Sequence, residues 1–443
     1  MSQNDKQYIP KRILSSGFTL AVVIGGTIGL GILRTPGEVA TVVTDPWLFV
    51  SLWMLGGLFV LLSTTVVAEL VGMTPRSGGT YPLVRRAYGP YPGFVIGWVD
   101  WLTFVADIAF KAVVTTEFAT LLIPALSQWQ KPLAIAISSV FAALQLKGIA
   151  LGAKIQQFAA AALALIVIGF TVALVLAETT PTISASSVPL AATGIGAWSL
   201  VFASIIYTYD GWYYAAYFSG EIKGGSGAVA RACIKGTVIV ILLYVFLVAA
   251  LAWKVPLASL AGKELALASA LEMVISPLAS TLVLVAAIIM LLGYQNLLYM
   301  ATPRILQALA VDGLAIRRAA VISKCGNPIC AMIISWGLSV GLIMIGGFHF
   351  LLHLSVFFFL FLYVMLSAGV ILLRSRQPEA DRPYRAWGHP WSTYICLLGW
   401  LLIALFQAVN ELQAAAYAAI FIAVSWPVYR ALVHFGSNNT TKS

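Results

Sequence analysis

Gly25-Gly26-Thr27-Ile28-Gly29-Leu30-Gly31 and, far downstream, Tyr207-Thr208-Tyr209-Asp210-Gly211-Trp212 each interrupt an otherwise apolar run. Glycine disfavours a helix interior by up to ~1 kcal/mol relative to alanine. Backbone freed at membrane depth is tolerated only where it is buried in protein or lines a cavity. One such break is explained equally well by close packing of small residues between helices. Two breaks, five helical segments apart, point instead to a substrate site between repeats of a transporter. Unwinding sets the amide N–H groups of one half-helix across from the carbonyls of another. A zwitterion matches that arrangement, with its carboxylate on amides near Gly29, Leu30 and Gly31 and its ammonium on carbonyls of both segments.

Outward from the breaks, the composition sets the solvent. Of 443 residues, 60% are hydrophobic and 9% charged, with a mean hydropathy of +0.94, which only a bilayer accommodates. Twelve apolar segments are predicted at 15–40, 47–73, 91–124, 132–148, 153–177, 193–219, 235–254, 278–310, 326–347, 350–373, 391–409 and 411–432, with 258–275 as an additional partly embedded helix. The formal charge of +10 resembles a nucleic-acid signal until its distribution is followed. If the amino terminus is cytoplasmic, Arg34, Lys131, Lys254 and Lys263 fall outside and Lys111 inside a helix, leaving 21 of the 26 Lys and Arg on the cytoplasmic side. That asymmetry predicts a multi-pass inner-membrane protein with both termini cytoplasmic. The first apolar segment lacks a cleavage pattern and is expected to be retained. Cys233, Cys325, Cys330 and Cys396 form neither a disulfide framework nor a zinc pattern.

Several motifs then carry a family resemblance. Ile28-Gly29-Leu30-Gly31-Ile32 resembles the glycine-rich first helix of the amino acid–polyamine–organocation (APC) superfamily. Ala68-Glu69-Leu70, Pro75-Arg76-Ser77-Gly78-Gly79-Thr80-Tyr81, Arg86-Ala87-Tyr88-Gly89 and Gly97-Trp98 resemble its second-helix end, cytoplasmic loop and third-helix start. Ser219-Gly220-Glu221-Ile222-Lys223, Pro303-Arg304 and Ala310-Val311-Asp312-Gly313 continue the series in order. Tyr209-Asp210-Gly211-Trp212 is most similar to the L-type amino acid transporter branch and its bacterial relatives. The resemblance implies an all-α polytopic protein of 12 transmembrane helices, with a LeuT-type inverted repeat broken in helices 1 and 6. Its parts would be a tail at 1–12, repeats at 13–178 and 193–373, two helices within 391–432 and a tail at 433–443. It implies an amino acid permease, antiporter or symporter, without a cofactor, whose substrate meets Thr27, Ile28, Gly29, Leu30, Gly31, Tyr207, Thr208, Tyr209, Asp210 and Tyr244. Animal relatives pair with a glycoprotein through a disulfide, and no such subunit is expected because the loop after the third segment has no cysteine. Relatives commonly have Gly-Ser-Gly where this chain has Gly29-Leu30-Gly31, and many sodium-independent members have a lysine at the position of Leu163. A neutral amino acid is the first expectation; the departure at Leu30 sets other amines or polyamines beside it as the alternative, and the one at Leu163 leaves the coupled ion open.

Asp107 and Lys111, four residues apart on one helix face, are expected to pair. With Glu117 they are candidates for coupling to a proton or counter-substrate, or else for a structural ion pair. Asp210 either contacts the substrate amine or caps a half-helix. Glu69 and Glu221 read as anchors of cytoplasmic loops. His349 and His353 lack a third metal ligand and are candidate proton carriers. A membrane-embedded enzyme has one formal match, Gly337-Leu338-Ser339-Val340-Gly341, but it lies within an apolar helix and not on a strand-to-helix elbow. A transport-inactive sensor is the remaining alternative.

Overall fold

A computed structural model describes residues 12–178, 194–346, 348–410 and 412–440. The first apolar run is interrupted where its glycines predict. α1 (Ser16–Thr27) is capped by the Ser15 hydroxyl accepting from the Phe18 amide, and it ends at Ile28 in extended backbone; α2 (Gly31–Ala40) resumes after Leu30. Next come α3 (Pro46–Met73), α4 (Thr80–Tyr88), α5 (Pro90–Leu122), α6 (Gln130–Leu146) and α7 (Ile149–Leu176). The second break separates α8 (Ile195–Thr208) from a 3-10 turn, Tyr214–Phe218. α9 (Gly225–Lys254), α10 (Ala266–Val274), α11 (Leu278–Val311), α12 (Ile329–Ile345), α13 (Phe348–Arg376), α14 (Trp391–Asn410) and α15 (Leu412–Thr440) complete the order. α9 begins ten residues before the apolar segment does, because its first turns are small and polar and pack inside the protein: Ser226, Gly227, Ala230 and Ala232 are buried. The additional helix expected at 258–275 is present as α10.

Among the described residues, nine helices are long and apolar enough to cross a membrane, and Gly196–Thr208 and Ile329–Ile345 are shorter apolar helices. Phe158, Leu165 and Leu278 lie two-thirds exposed or more on the outside of the bundle, as lipid-facing side chains do. Trp47 and Trp253 meet edge-to-face at neighbouring helix ends, and exposed Trp387 and Trp391 mark another rim, as in the aromatic belts of membrane proteins. This is a multi-pass membrane protein. The side chains of His349 and His353 lie outside the described residues.

The two breaks touch each other. Gly211 has φ +110°, and a Cβ built there would lie 2.3 Å from the Gly26 carbonyl oxygen. α1 packs on α7 and α9, α3 on α9, and α5 on α11, which encloses the breaks. A Gly211→Ala substitution combines backbone strain of order 1–3 kcal/mol with a clash against main chain that cannot swing aside. The expected outcome is a lower melting midpoint and aggregated protein in detergent, read by gel filtration after heating. A profile like that of the unsubstituted protein contradicts the contact.

Candidate functional site

At the first break no side chain caps α2, so its leading amides keep the partial positive charge of a helix N-terminus. On the α1 side the Thr27 carbonyl accepts from the Tyr244 hydroxyl at 3.0 Å, which gives a buried orphan acceptor its partner. At the second break the Tyr209 amide turns back to the Ile205 and Ile206 carbonyls, closing α8. The Thr208 hydroxyl lies 2.7 Å from that of Thr35 and ties α8 to α2. Asp210 accepts from the Tyr363 hydroxyl of α13.

Between the breaks lies a cavity of about 200 Å³, which suits a ligand smaller than a drug. Its walls include Gly26, Thr27, Gly29, Leu30 and Gly31 from the first break and Tyr207, Thr208 and Asp210 from the second. Phe110 and Lys111 come from α5, and Met290, Leu291 and Tyr294 from α11. A Cβ on Gly29 would meet nothing within 4 Å, whereas one on Gly31 would touch Thr208 at 3.1 Å.

The remaining expected site residues stand elsewhere. Ile28, Tyr209 and Tyr244 are buried behind the wall, where the Tyr209 hydroxyl donates to the Trp53 carbonyl at 3.2 Å. Of the three, Tyr244 bonds the broken backbone, through the Thr27 carbonyl. Lys111 donates to Asp107 at 2.8 Å and lies 4.3 Å from the centre of the Tyr294 ring. Glu117 is exposed, away from the cavity. The α11 wall was missed at the level of sequence, although Gly293-Tyr294-Gln295-Asn296 is a polar interruption within an apolar span. Leu163 is fully buried and its side chain lies beside Gly293.

A second set of contacts closes one end of the broken helices. Glu221 takes a two-pronged pair from Arg304, at 2.6 and 2.8 Å, and accepts from Ser77 at 3.2 Å. Arg304 reaches Asn327 at 3.2 Å and covers the Phe218 ring at 4.9 Å. Ahead of α1, the Leu14 amide donates to the Glu221 carbonyl and the Leu14 carbonyl accepts from Lys223, at 3.0 and 2.9 Å. Asp100 accepts from Thr80 at 2.7 Å and from Tyr217 at 2.8 Å. Asp312 gathers Arg76 and Arg85, each at 2.9 Å, and burial together with the bond to Asp312 pushes the Tyr81 phenol above its usual pKa. Glu69 is held by Arg374 at 2.6 Å, Arg382 at 3.2 Å and the Ala386 amide at 2.8 Å.

The model of a family described as amino acid permease matches residues 17–429. The chain is 24% identical to the serine/threonine exchanger SteT of Bacillus subtilis (strain 168), over 93% of this chain and 94% of the exchanger. It is 25% identical to the branched-chain amino acid permease BcaP of Lactococcus lactis, over 96% of this chain and 95% of the permease. It is 24% identical to the mouse b(0,+)-type amino acid transporter 1, over 83% and 77% of the respective chains.

Removing the Tyr244 hydroxyl leaves the Thr27 carbonyl buried and unpaired. Tyr244→Phe is expected to cost about 1–3 kcal/mol, read as a lower thermal midpoint of the purified protein in detergent. A midpoint equal to that of the parent contradicts a structural role for this bond.

Proposed function

The chain belongs to the amino acid permease family of the APC superfamily, and on that footing we propose that it is a secondary active transporter working by alternating access in a LeuT-type fold. The protein is an amino acid permease in a membrane, not an enzyme. The proposed architecture has 12 spanning helices, with five-helix inverted repeats at 13–178 and 193–373 and both termini in the cytoplasm of an inner-membrane protein. In this arrangement α6, α8 with its 3-10 turn, and α12 supply the spans that are too short or interrupted to stand out by length.

The observation that carries the site reading is the cavity bounded by both breaks, with the uncapped start of α2 on one wall. The substrate carboxylate sits on amides near Gly29, Leu30 and Gly31, where the helix dipole favours an anion. The ammonium lies toward the carbonyl end of α1 and Asp210. Thr27, Tyr207 and Thr208 complete the contacts, with Ile28, Tyr209 and Tyr244 supporting from behind. A neutral amino acid suits this layout, because the α2 amides meet its carboxylate and the α1 carbonyls with Asp210 meet its ammonium. Leu30 in place of a small hydroxyl residue adds bulk beside the carboxylate position, and other amines or polyamines are the second reading. Asp107 and Lys111 are the candidate coupling pair, with a proton or counter-substrate as the coupled species; Glu117 stands apart from them. The Glu221–Arg304 network lies on the proposed cytoplasmic side, so this conformation is closed to the cytoplasm. Opening requires that buried ion pair to rearrange, since an unpaired buried charge costs about 3–5 kcal/mol.

Gly29 gives a clean test, since its Cβ direction is open and its φ lies outside the left-handed region. In liposomes loaded with a counter-substrate, or under proton or sodium gradients applied separately, the parent protein is expected to take up labelled neutral amino acids. Gly29→Val is expected to lower that uptake at least tenfold with an unchanged melting midpoint. Retained uptake refutes the carboxylate cradle.

A further inference from the structure

We infer that Lys111 selects the substrate side chain, favouring neutral amino acids that carry a hydrogen-bond acceptor there, such as a hydroxyl or carboxamide, over their apolar isosteres. The inference rests on the proposed placement of the substrate backbone at the two breaks. With carboxylate and ammonium held there, the substrate side chain faces the wall opposite, which α5 and α11 build from Phe110, Lys111, Met290, Leu291 and Tyr294. Lys111 is the polar member of that wall with donors to spare. An ammonium has three N–H donors; Asp107 accepts at 2.8 Å, and the Tyr294 ring lies 4.3 Å from Nζ. The ring itself is fixed, because the Tyr294 and Tyr214 hydroxyls bond at 2.5 Å. Thus Nζ is positioned from two sides, on a residue that lines the cavity.

Charge decides between a neutral and an anionic acceptor. Asp107 already neutralises Lys111. A side-chain carboxylate would meet that spent ammonium with the Asp107 carboxylate beside it; a hydroxyl or carboxamide oxygen accepts a bond without that repulsion. An apolar isostere leaves the ammonium's donors without the bond, and a site built to bond a polar group discriminates strongly against the analogue that lacks it.

The test is uptake of labelled L-asparagine against L-leucine, and of L-threonine against L-valine, by the protein in liposomes. The parent is expected to favour the polar member of each pair at least tenfold, as suits a hydrogen bond to a charged group. Lys111→Met should shrink both ratios about tenfold or more. Because this variant leaves Asp107 without its cation, Lys111→Met combined with Asp107→Asn is measured alongside and should show the same collapse. Equal handling of the pairs by the parent, transport of neither member, or variants that slow both members by one common factor overturns the inference. The Gly29→Val result is independent of these ratios, so loss of the backbone cradle is distinguished from loss of side-chain selection.

Discussion

Everything near the cavity depends on the approach of two main chains: the Gly26 carbonyl stands where a side chain on Gly211 would have to be. Two helices interrupted at the same depth can come this close only without side chains between them. Once they do, each leaves backbone groups that water cannot serve in a bilayer. The neighbouring side chains supply the partners. Tyr244 takes the Thr27 carbonyl, Thr208 joins Thr35, and Tyr363 holds Asp210. What remains uncapped is the start of α2, and that is where an open space lies.

Rigid support surrounds this point. Asn296 of α11 donates to Gln156 at 3.0 Å and to the Gly152 carbonyl at 3.1 Å, both on α7, and accepts from Gln145 of α6 at 3.1 Å. Asn327 donates to the Gln145 carbonyl at 2.7 Å and accepts from Arg304 at 3.2 Å, so one polar chain joins these helices to the Glu221 pair. Buried networks of this kind are costly when half satisfied, which favours two discrete arrangements over gradual deformation. An alternating mechanism needs such a bistable element. In the proposed cycle the Glu221–Arg304 pair and its neighbours supply it.

Much of the helical layout is legible in the sequence because glycine and polar runs stand out within apolar segments. Both breaks and the loop motifs are signals of that kind. The finer geometry of the site is not legible in the same way. A helix that is apolar all round carries little phase information, so nothing in 278–310 says that Met290 and Leu291 line the cavity and that Val283 and Leu298, buried to the same degree, do not. At a break the 3.6-residue period stops, and proximity in sequence ceases to indicate which way a residue points. Ile28 adjoins Gly29, yet one is fully buried and the other lines open space. Tyr244 illustrates the same limit, since its ring serves the site through the backbone it holds.

In the proposed mode of binding, main-chain groups at the two breaks hold the substrate backbone. An experimental structure of the protein with a transported amino acid bound tests it most directly. The carboxylate is expected within hydrogen-bond distance of the amides near Gly29 to Gly31, with the ammonium toward the end of α1. A bound amino acid whose carboxylate is held by Lys111, or one seated away from both breaks, contradicts it.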